Sequence, residues 1–370
     1  MRPFVAAALL LAFAAGCRDA ERPTPVRALT PDSVRYAQGF RLWRGDGYRV
    51  AEVRSGAAVA RYVLVPRGVA VPRGEAGTVV RVPAERLVAL STTYLGFVTR
   101  VGADARVVAV AGRRWVNAPG VLARLDAGAA LDVGETPGAE GIASARPDVV
   151  LLGPTEAAGP LGDQLATLGI AAVAVADYAE ATPLGRAEWL RFVGLLVGRE
   201  AEADAAFDSV AARYERLAAR ARPASPRPTV LLNAPYAGTW FVPGGRSFAS
   251  AFLRDAGAES AWADDTLSAA RPLSFEQILA RAGTAAFWLH PGTWTRLADG
   301  ARDEPRVRLF ESFRAGRVWN NDARKSTGGG FDFHETGVAE PDVILADLVS
   351  IFHPALVPGH RRVYYRALPE

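Results

Sequence analysis

Cysteine is almost absent from this chain: Cys17 is the only one among 370 residues. A disulfide within the chain is therefore excluded, and a single thiol does not build a metal site. Long apolar runs are also scarce. Beyond the first sixteen residues, no stretch reaches the ~18 consecutive apolar residues that indicate a membrane-spanning helix. Because 50% of the residues are hydrophobic and 22% are charged, we expect a globular protein with an ordinary apolar core.

The position of Cys17 indicates a role for it. Arg2 gives a short positive start, Phe4–Ala15 is an apolar stretch, and small residues precede the cysteine in "AAGC". This pattern resembles a bacterial lipobox, in which the cysteine is lipidated and becomes the first residue of the mature protein. We expect a signal peptide over residues 1–16 and a tether over residues 17–33, with the protein facing the periplasm or the cell exterior. The alternative is an ordinary secretory signal with a chance cysteine near the cleavage site.

Lysine is nearly as rare, since Lys325 is the only one although Lys and Arg together number 43. The net charge of +4 follows from an arginine-rich composition. No cluster of basic residues is interleaved with aromatics, so we predict no binding to nucleic acid. The one lysine is either a specific compact donor to a ligand or an ordinary surface residue.

Histidine is also scarce, with four in the chain, and the common catalytic signatures are missing. There is no G-x-S-x-G and no H-E-x-x-H sequence, so we predict that the protein is not an enzyme. A bare metal ion would need three or four converging ligands, and we predict no such site. His290 closes a predicted strand and His334 follows a glycine loop. These two could instead bind haem iron, with Tyr94 as a further partner.

What the sequence does contain is a repeated alternation of short apolar strands and amphipathic helices. "RLVAL", "RVVAVAG", "DVVLLG" and "IAAVAV" are strands separated by helical segments, which predicts parallel crossover units. Two consecutive helices interrupt the rhythm before it resumes at "TVLLN". We therefore predict an α/β fold of two Rossmann-like lobes joined by one long rigid helix. The expected units are a β-rich extension (34–82), an N-terminal lobe (83–198), the linking helix (199–222) and a C-terminal lobe (223–370).

Five segments of this plan resemble the periplasmic substrate-binding proteins of iron–siderophore and cobalamin uptake systems, the class with two lobes and one connecting helix. They include "RLVALSTTYLGFVTRVGADARVVAVAG", "AEGIASARPDVVLLG" and "LSFEQILARA". The resemblance covers nearly all of residues 83–358. It implies a lipid-anchored monomer that binds its ligand between the lobes and delivers it to the permease dimer of an ABC importer.

The resemblance also implies a docking role for two glutamates. In this family each lobe presents one surface glutamate to arginines of the membrane subunits. Glu140 in "EGIASARPD" and Glu276 in "SFEQIL" stand at the corresponding places, one in each half of the chain. Exposed carboxylates could fix the register of a docked partner. The alternative is that both are ordinary acidic residues in a first helical turn, where they favour the helix dipole.

Ligands of open α/β sheets bind beyond the carboxyl ends of the strands, and this rule points to particular loops. The residues that we predict to bind ligand are Thr93, Tyr94, Arg113, Arg114, Trp115, Tyr236, Trp240, Arg246, Trp294 and Lys325. Their rings and cations suit a large, flat and partly anionic ligand such as an iron–siderophore complex or a corrinoid. Haem is the alternative ligand. A lipoprotein that lost transport, or a hydrolase on this scaffold, is the alternative function.

Overall fold

A computed structural model describes residues 29–236 and 238–370. The predicted signal peptide, Cys17 and most of the predicted tether lie outside the described residues. In the described part, no helix is long and apolar enough to cross a membrane.

The chain begins with a five-stranded sheet that we call the N-terminal sheet. Its strands are β1 (Thr30–Pro31), β2 (Phe40–Arg44), β3 (Arg49–Ser55), β4 (Ala58–Pro66) and β5 (Thr78–Val82). They pair in that order, antiparallel except for the parallel β4–β5 pair. Gly56 has a φ of 58° in the two-residue loop between β3 and β4, a conformation that glycine adopts without strain. Residues 30–31, which the sequence assigned to the tether, pair with β2 instead.

The N-terminal lobe contains a second five-stranded sheet. Its strands are β6 (Leu87–Ala89), β7 (Val107–Val110), β8 (Leu131–Asp132), β9 (Val149–Leu152) and β10 (Ala171–Ala174). All are parallel, in the order β10-β9-β6-β7-β8, and β6, β7 and β9 are buried throughout, as expected of strands covered on both faces. The helices are α1 (Thr92–Arg100), α2 (Pro119–Asp126), α3 (Ala139–Ser144), α4 (Pro154–Ala157), α5 (Pro160–Thr167) and α6 (Pro183–Leu196).

Buried carboxylates attach the N-terminal sheet to this lobe. Glu188 on α6 is fully buried and accepts hydrogen bonds from the backbone N–H groups of residues 35, 36 and 37 at 2.6–2.9 Å. Glu180 accepts from those of residues 38 and 39. In addition, the Tyr62 hydroxyl accepts from the N–H of Ala174 on edge strand β10 at 2.8 Å. The extension therefore covers an edge that would otherwise expose unpaired backbone groups.

A 22-residue helix, α7 (Glu200–Ala221), follows the N-terminal lobe. At 1.5 Å per residue it is about 33 Å long. It packs against α6 on one side, through residues such as Phe207, and towards the C-terminal lobe on the other. There the buried Tyr214 hydroxyl donates to Asp255 at 2.7 Å. The helix is therefore fixed to both lobes along its length.

The C-terminal lobe contains two sheets. The larger one consists of β11 (Thr229–Leu232), β14 (Glu259–Ser260), β16 (Phe287–Leu289), β17 (Val318–Asn320) and β18 (Arg366–Ala367). Its order is β14-β11-β16-β17-β18, parallel except for β18. The smaller antiparallel sheet consists of β12 (Pro235–Tyr236), β13 (Thr239–Pro243) and β15 (Ala270–Leu273). The helices are α8 (Phe248–Asp255), α9 (Phe275–Ala282), α10 (Leu297–Asp303), α11 (Glu311–Arg314), α12 (Thr336–Ala339) and α13 (Pro341–Phe352). The predicted two-lobe α/β fold class is confirmed.

A buried carboxylate on α13 holds the end of the chain. Asp347 is fully buried and accepts hydrogen bonds from the backbone N–H groups of Val363, Tyr364 and Tyr365, at 2.7–3.1 Å. His360 contacts the same carboxylate at 2.6 Å. These bonds place the fully buried ring of Tyr365 directly behind the candidate site.

Candidate ligand-binding cleft

A cavity of about 680 Å³ opens between the two lobes. We call it the interlobe cleft. Residues 178–181 of the N-terminal lobe form one wall, and loops of the C-terminal lobe form the rest. It is lined by Tyr178, Ala179, Glu180, Ala181, Asn233, Pro243, Ser247, Phe248, Ala249, Ser268, Ala269, Ala270, His290, Gly292, Asn321, Phe331, Phe333 and His334. The volume lies within the usual range of small-molecule sites.

The floor of the cleft is polar because three neighbouring parallel strands end there. Asn233 follows β11, His290 follows β16, and Asn321 lies just beyond β17. Asn233 and His290 have left-handed backbones, with φ values of 65° and 59°. Such conformations cost free energy in residues other than glycine and are concentrated at functional sites. The Asn233 side chain is held in place by donating to the Phe241 carbonyl at 2.7 Å. Side chains at this edge are therefore fixed by the backbone geometry.

His290 is a neutral, oriented ring in this floor. Its Nε2 forms a 2.5 Å hydrogen bond with the hydroxyl of Tyr365, and the two rings stack 5.5 Å apart. Burial, with a smaller contribution from the nearby His334, lowers the pKa of His290 to about 3. The bond to Tyr365 leaves Nδ1 as the ring nitrogen available to a ligand.

Aromatic rings form the wall above this floor. Phe333 stands between the two histidines, with ring centroids 5.6 Å from His290 and 5.0 Å from His334. Tyr178 projects from the opposite lobe with 56% of its surface exposed. The His334 side chain faces the cleft. Desolvation by the surrounding walls, followed by the charge of Arg186, lowers the pKa of its imidazole. The arrangement offers flat apolar faces around a few neutral hydrogen-bonding groups, which suits a large conjugated ligand.

A second cavity of about 530 Å³ lies against the N-terminal lobe, at the carboxyl ends of β6, β8 and β9. We call it the N-lobe cavity. It shares Tyr178 with the interlobe cleft, and Ser91, Glu135 and Glu156 are among its lining residues. Tyr94 lines it as well, but only 5% of Tyr94 is exposed. The two cavities meet at Tyr178, which stands at the boundary between the lobes.

Two predicted ligand-binding residues, Trp240 and Trp294, belong to the core, and this prediction was wrong. Strand alternation turns Trp240 inwards while Phe241 faces outwards. Trp240 stacks on the buried Trp288 at 5.3 Å and donates from Nε1 to the Leu232 carbonyl. Trp294 packs edge-on against the same Trp288. The apolar layer of this lobe thus takes up the rings that the sequence placed at its strand ends.

Thr93 and Tyr94 also have structural partners. The Thr93 hydroxyl donates to the His334 carbonyl at 2.8 Å, which ties α1 to the opposite lobe. The Tyr94 hydroxyl points to the Val175 carbonyl at 3.4 Å, and burial raises the pKa of Tyr94. Tyr94 lines the N-lobe cavity but not the interlobe cleft. It is therefore not placed beside His290 and His334 as a third haem ligand.

Arg113, Arg114 and Trp115 line neither cavity. Arg113 is ion-paired with Asp126, and Arg114 with Glu135 at 2.7 Å. The Arg114 guanidinium also lies over the Trp115 ring, 4.3 Å from its centroid. The glycine loop of the C-terminal lobe covers this segment, because Gly328 donates to the Arg114 carbonyl and Gly330 packs against the Trp115 backbone. These residues form a contact between the lobes.

The remaining three predicted ligand residues are exposed outside both linings. Tyr236 is 79% exposed on the β12–β13 hairpin. Lys325 lies 3.5 Å from Asp322. Arg246 precedes Ser247, a lining residue, but is not itself part of the lining. The predicted cluster of cations in the cleft was therefore wrong. Tyr178, Phe248, Phe331 and Phe333 were missed, although "FDFH" after the glycine loop carried a signal for two of them.

The two glutamates predicted to dock the permease are both exposed in the first turns of their helices. Glu140 lies on α3, and no described cation forms an ion pair with it. Glu276 lies on α9, next to a capping box of Ser274 and Gln277, and is paired with Arg306 at 2.8 Å. Arg306 also pairs with Glu304. Both carboxylates are thus accessible to a partner. An arginine of a docked partner would have to displace Arg306 from Glu276.

A seam of direct contacts between the lobes runs beside the cleft, and its centre is Glu335. This side chain of the C-terminal lobe is fully buried and accepts from the N–H groups of Asn117 and Ala118, at 2.7 and 2.6 Å, at the start of α2. Gly96 on α1 packs against the backbone of Glu335, where a side chain would not fit. Desolvation raises the pKa of Glu335 to about 7, against the lowering effect of these hydrogen bonds.

The pH dependence of the free energy of unfolding tests whether Glu335 is buried between the lobes with a raised pKa. A carboxyl whose pKa is raised on folding stabilises the folded state in its protonated form, so this contribution is lost as the pH rises from about 5 through 7. Between those values the wild-type free energy of unfolding should fall more steeply than that of Glu335→Gln, by up to ~1.4 kcal/mol per pH unit. Urea unfolding at several pH values measures both slopes. Glu259→Gln, at an exposed site, should keep the wild-type slope. Parallel profiles for wild type and Glu335→Gln would contradict the assignment.

In the described part of the chain, no group of three His, Cys, Asp or Glu side chains is placed to hold a metal ion. The lining of the interlobe cleft consists mainly of aromatic rings, small side chains and neutral polar groups.

Comparison with known proteins finds relatives in sequence and in fold. The chain is 24% identical over 303 residues to an uncharacterized lipoprotein of Methanocaldococcus jannaschii, covering 79% of this chain and 70% of the relative. A second uncharacterized lipoprotein of that organism is 24% identical over 350 residues, covering 90% and 85%. A periplasmic heme binding protein from Pseudomonas aeruginosa shares the fold, with a TM-score of 0.58, 21% identity and coverage of 78% and 99%.

A structure of an ABC-type Fe3+-hydroxamate transport system from Saccharomonospora viridis also shares the fold, with a TM-score of 0.57, 20% identity and coverage of 73% and 94%. A sequence model of the periplasmic binding proteins matches residues 87–324, well over half of the chain, and begins after the N-terminal sheet. The chain therefore belongs to the periplasmic binding protein family, whose members are solute-binding proteins rather than enzymes, as the sequence predicted.

Proposed function

We propose that this protein is the solute-binding component of an ABC importer and captures a metal chelate between its two lobes. The observation that carries the proposal is the interlobe cleft of about 680 Å³, with rings on both walls and a fixed polar floor. A ligand there contacts both lobes at once, as a receptor needs if its bound and free forms are to present different surfaces to a permease.

An iron–siderophore complex or a corrinoid is the proposed ligand. Phe331, Phe333 and Tyr178 provide faces for a large organic shell, while Asn233 and His290 provide hydrogen bonds beneath it. Two structures that share the fold, one of a heme binding protein and one of an Fe3+-hydroxamate transport system, support a chelate of this general size. The protein is proposed to act as a monomer whose lobes close only slightly, because α7 is fixed to both lobes.

Haem is the second candidate. The observation that favours it is the pair of cleft histidines on either side of Phe333. Both imidazoles are held neutral, as a ligand to iron must be.

The anchor and the docking surface complete the proposal. Cys17 would be lipidated, which the lipoprotein names of the M. jannaschii relatives support. Glu140 and Glu276 would each meet an arginine of one permease subunit.

A thermal-shift panel tests ligand binding. Purified protein would be melted with ferric hydroxamates, ferric catecholates, cobalamin and haem. A ligand present at 100 times its Kd should add about 2.7 kcal/mol to the free energy of unfolding. Phe331→Leu should weaken the binding of that ligand roughly three- to tenfold, since ring contacts are worth about 0.5–1.5 kcal/mol. Phe241→Leu, at an exposed ring outside the lining, is the matched control. No shift with any chelate would oppose the proposal.

Charge reversal tests the docking surface. In cells, the double variant Glu140→Arg/Glu276→Arg should abolish uptake of the chelate that the panel identifies while its Kd stays at the wild-type value, because both carboxylates lie outside the cleft. The control is Asp163→Arg/Glu259→Arg, which reverses one exposed carboxylate in each lobe. Normal uptake by the first double variant would remove the docking role.

A further inference from the structure

The described lining of the cleft contains none of the cations that the sequence suggested. Among the described residues, the lining of the interlobe cleft contains a carboxylate, Glu180, but neither arginine nor lysine. The same holds for the N-lobe cavity, whose described lining contains Glu135 and Glu156 and no cation. A ligand that fills either space therefore meets no cation in the described lining.

Two arginines beside the cavity linings are paired with carboxylates. The Arg186 guanidinium lies over the Phe248 ring and forms a 2.7 Å ion pair with the buried Asp177. Arg114 pairs with Glu135 in the same way. Arg246 lies outside the lining and is exposed, so water screens its charge. The cleft histidines carry no compensating charge, because burial lowers the pKa of His290 to about 3.

Two of the lining carboxylates have no described cation as a partner. Glu180 is buried, and the groups that bind it are the N–H groups of residues 38 and 39 and the indole Nε1 of Trp189, at 2.8–3.1 Å. These donors lie on the N-terminal segment and on α6, and they occupy both carboxylate oxygens of Glu180, which are therefore not free to bind a ligand. Glu156 is exposed in the first turn of α4 and faces the N-lobe cavity. Glu156 is therefore the exposed lining carboxylate that no described cation compensates.

We infer that the cleft selects a neutral or cationic chelate and discriminates against anionic ones. This inference rests on the proposed function. An anionic ligand would lose its hydration in the cleft and find no cation in the lining to replace it. A cation would gain from the exposed Glu156 carboxylate of the adjoining N-lobe cavity and from the faces of Tyr178, Phe331 and Phe333. A ferric trihydroxamate or a cobalamin meets this requirement, whereas a ferric tris-catecholate and haem carry negative charge.

Two matched pairs of test ligands separate charge from shape. Ferrioxamine B is a cationic ferric trihydroxamate, and ferric enterobactin is an anionic tris-catecholate. Cyanocobalamin is neutral, and haem carries two carboxylates. The full-length protein in detergent should bind either ferrioxamine B or cyanocobalamin, whichever of the two binds better, at least about tenfold more tightly than ferric enterobactin or haem at low salt. If ferrioxamine B is the preferred ligand, added salt should reduce the difference in affinity between it and the anionic ligands.

Charge substitutions at the cleft should move this selectivity. Ser268 is an exposed lining residue, so Ser268→Lys adds a cation without burying it. We expect it to narrow the preference about three- to tenfold, and Glu156→Gln to weaken ferrioxamine B about threefold. The matched controls are Thr167→Lys and Glu259→Gln, at exposed sites outside both linings, which should leave every Kd unchanged.

The results distinguish a failure of the inferred charge selectivity from a failure of the proposed receptor function. Preference for ferrioxamine B or cyanocobalamin, reduced by Ser268→Lys but not by Thr167→Lys, supports the inference. Equal or tighter binding of ferric enterobactin or haem overturns the inference and leaves the chelate receptor standing. Binding of none of the four overturns both. A ligand preference that Ser268→Lys does not alter would also overturn the inference of charge selectivity, because the preference would then not arise from charge at this lining.

Discussion

Buried carboxylates that bind backbone N–H groups hold the separate parts of this protein together. Glu188 binds the N-terminal segment, Glu335 joins the two lobes, and Asp347 holds the C-terminal tail. A carboxylate removed from water must be given donors, and backbone N–H groups at a helix start or in an extended segment supply them. Each such bond fixes a segment far away in sequence. The interlobe cleft lies beside the Glu335 contacts, between residues 178–181 of the N-terminal lobe and loops of the C-terminal lobe.

The same network reaches the site itself. Asp347 places Tyr365, and Tyr365 in turn orients His290 in the floor of the cleft. Glu180 holds the N-terminal segment with its carboxylate while its residue lines the opposite wall. Parallel strands bring Asn233, His290 and Asn321 to one edge, and aromatic rings close over them. This is the site at which we propose that a large ligand is recognised by its shape and charge.

The sequence was sufficient for the architecture and for the edge of the sheet at which the cleft lies. Apolar strands, capped helices and the rule for strand ends are local signals, and the two-lobe fold follows from them. The individual ligand residues were not predictable in this way. Trp240 and a cleft ring look alike in sequence, because one step along a strand decides which face a side chain takes. Arg113 and Arg114 looked like free cations because their partners, Asp126 and Glu135, are identified only by the tertiary structure.

The position of the ligand is the central claim, and hydrogen exchange tests it most directly. Backbone exchange would be compared with and without the chelate that gives the largest thermal shift. Binding between the lobes predicts slower exchange in residues 177–181 of the N-terminal lobe and, at the same time, in residues 247–249 and 331–334 of the C-terminal lobe. Protection confined to one lobe, or to the N-terminal sheet at residues 30–82, would contradict binding between the lobes.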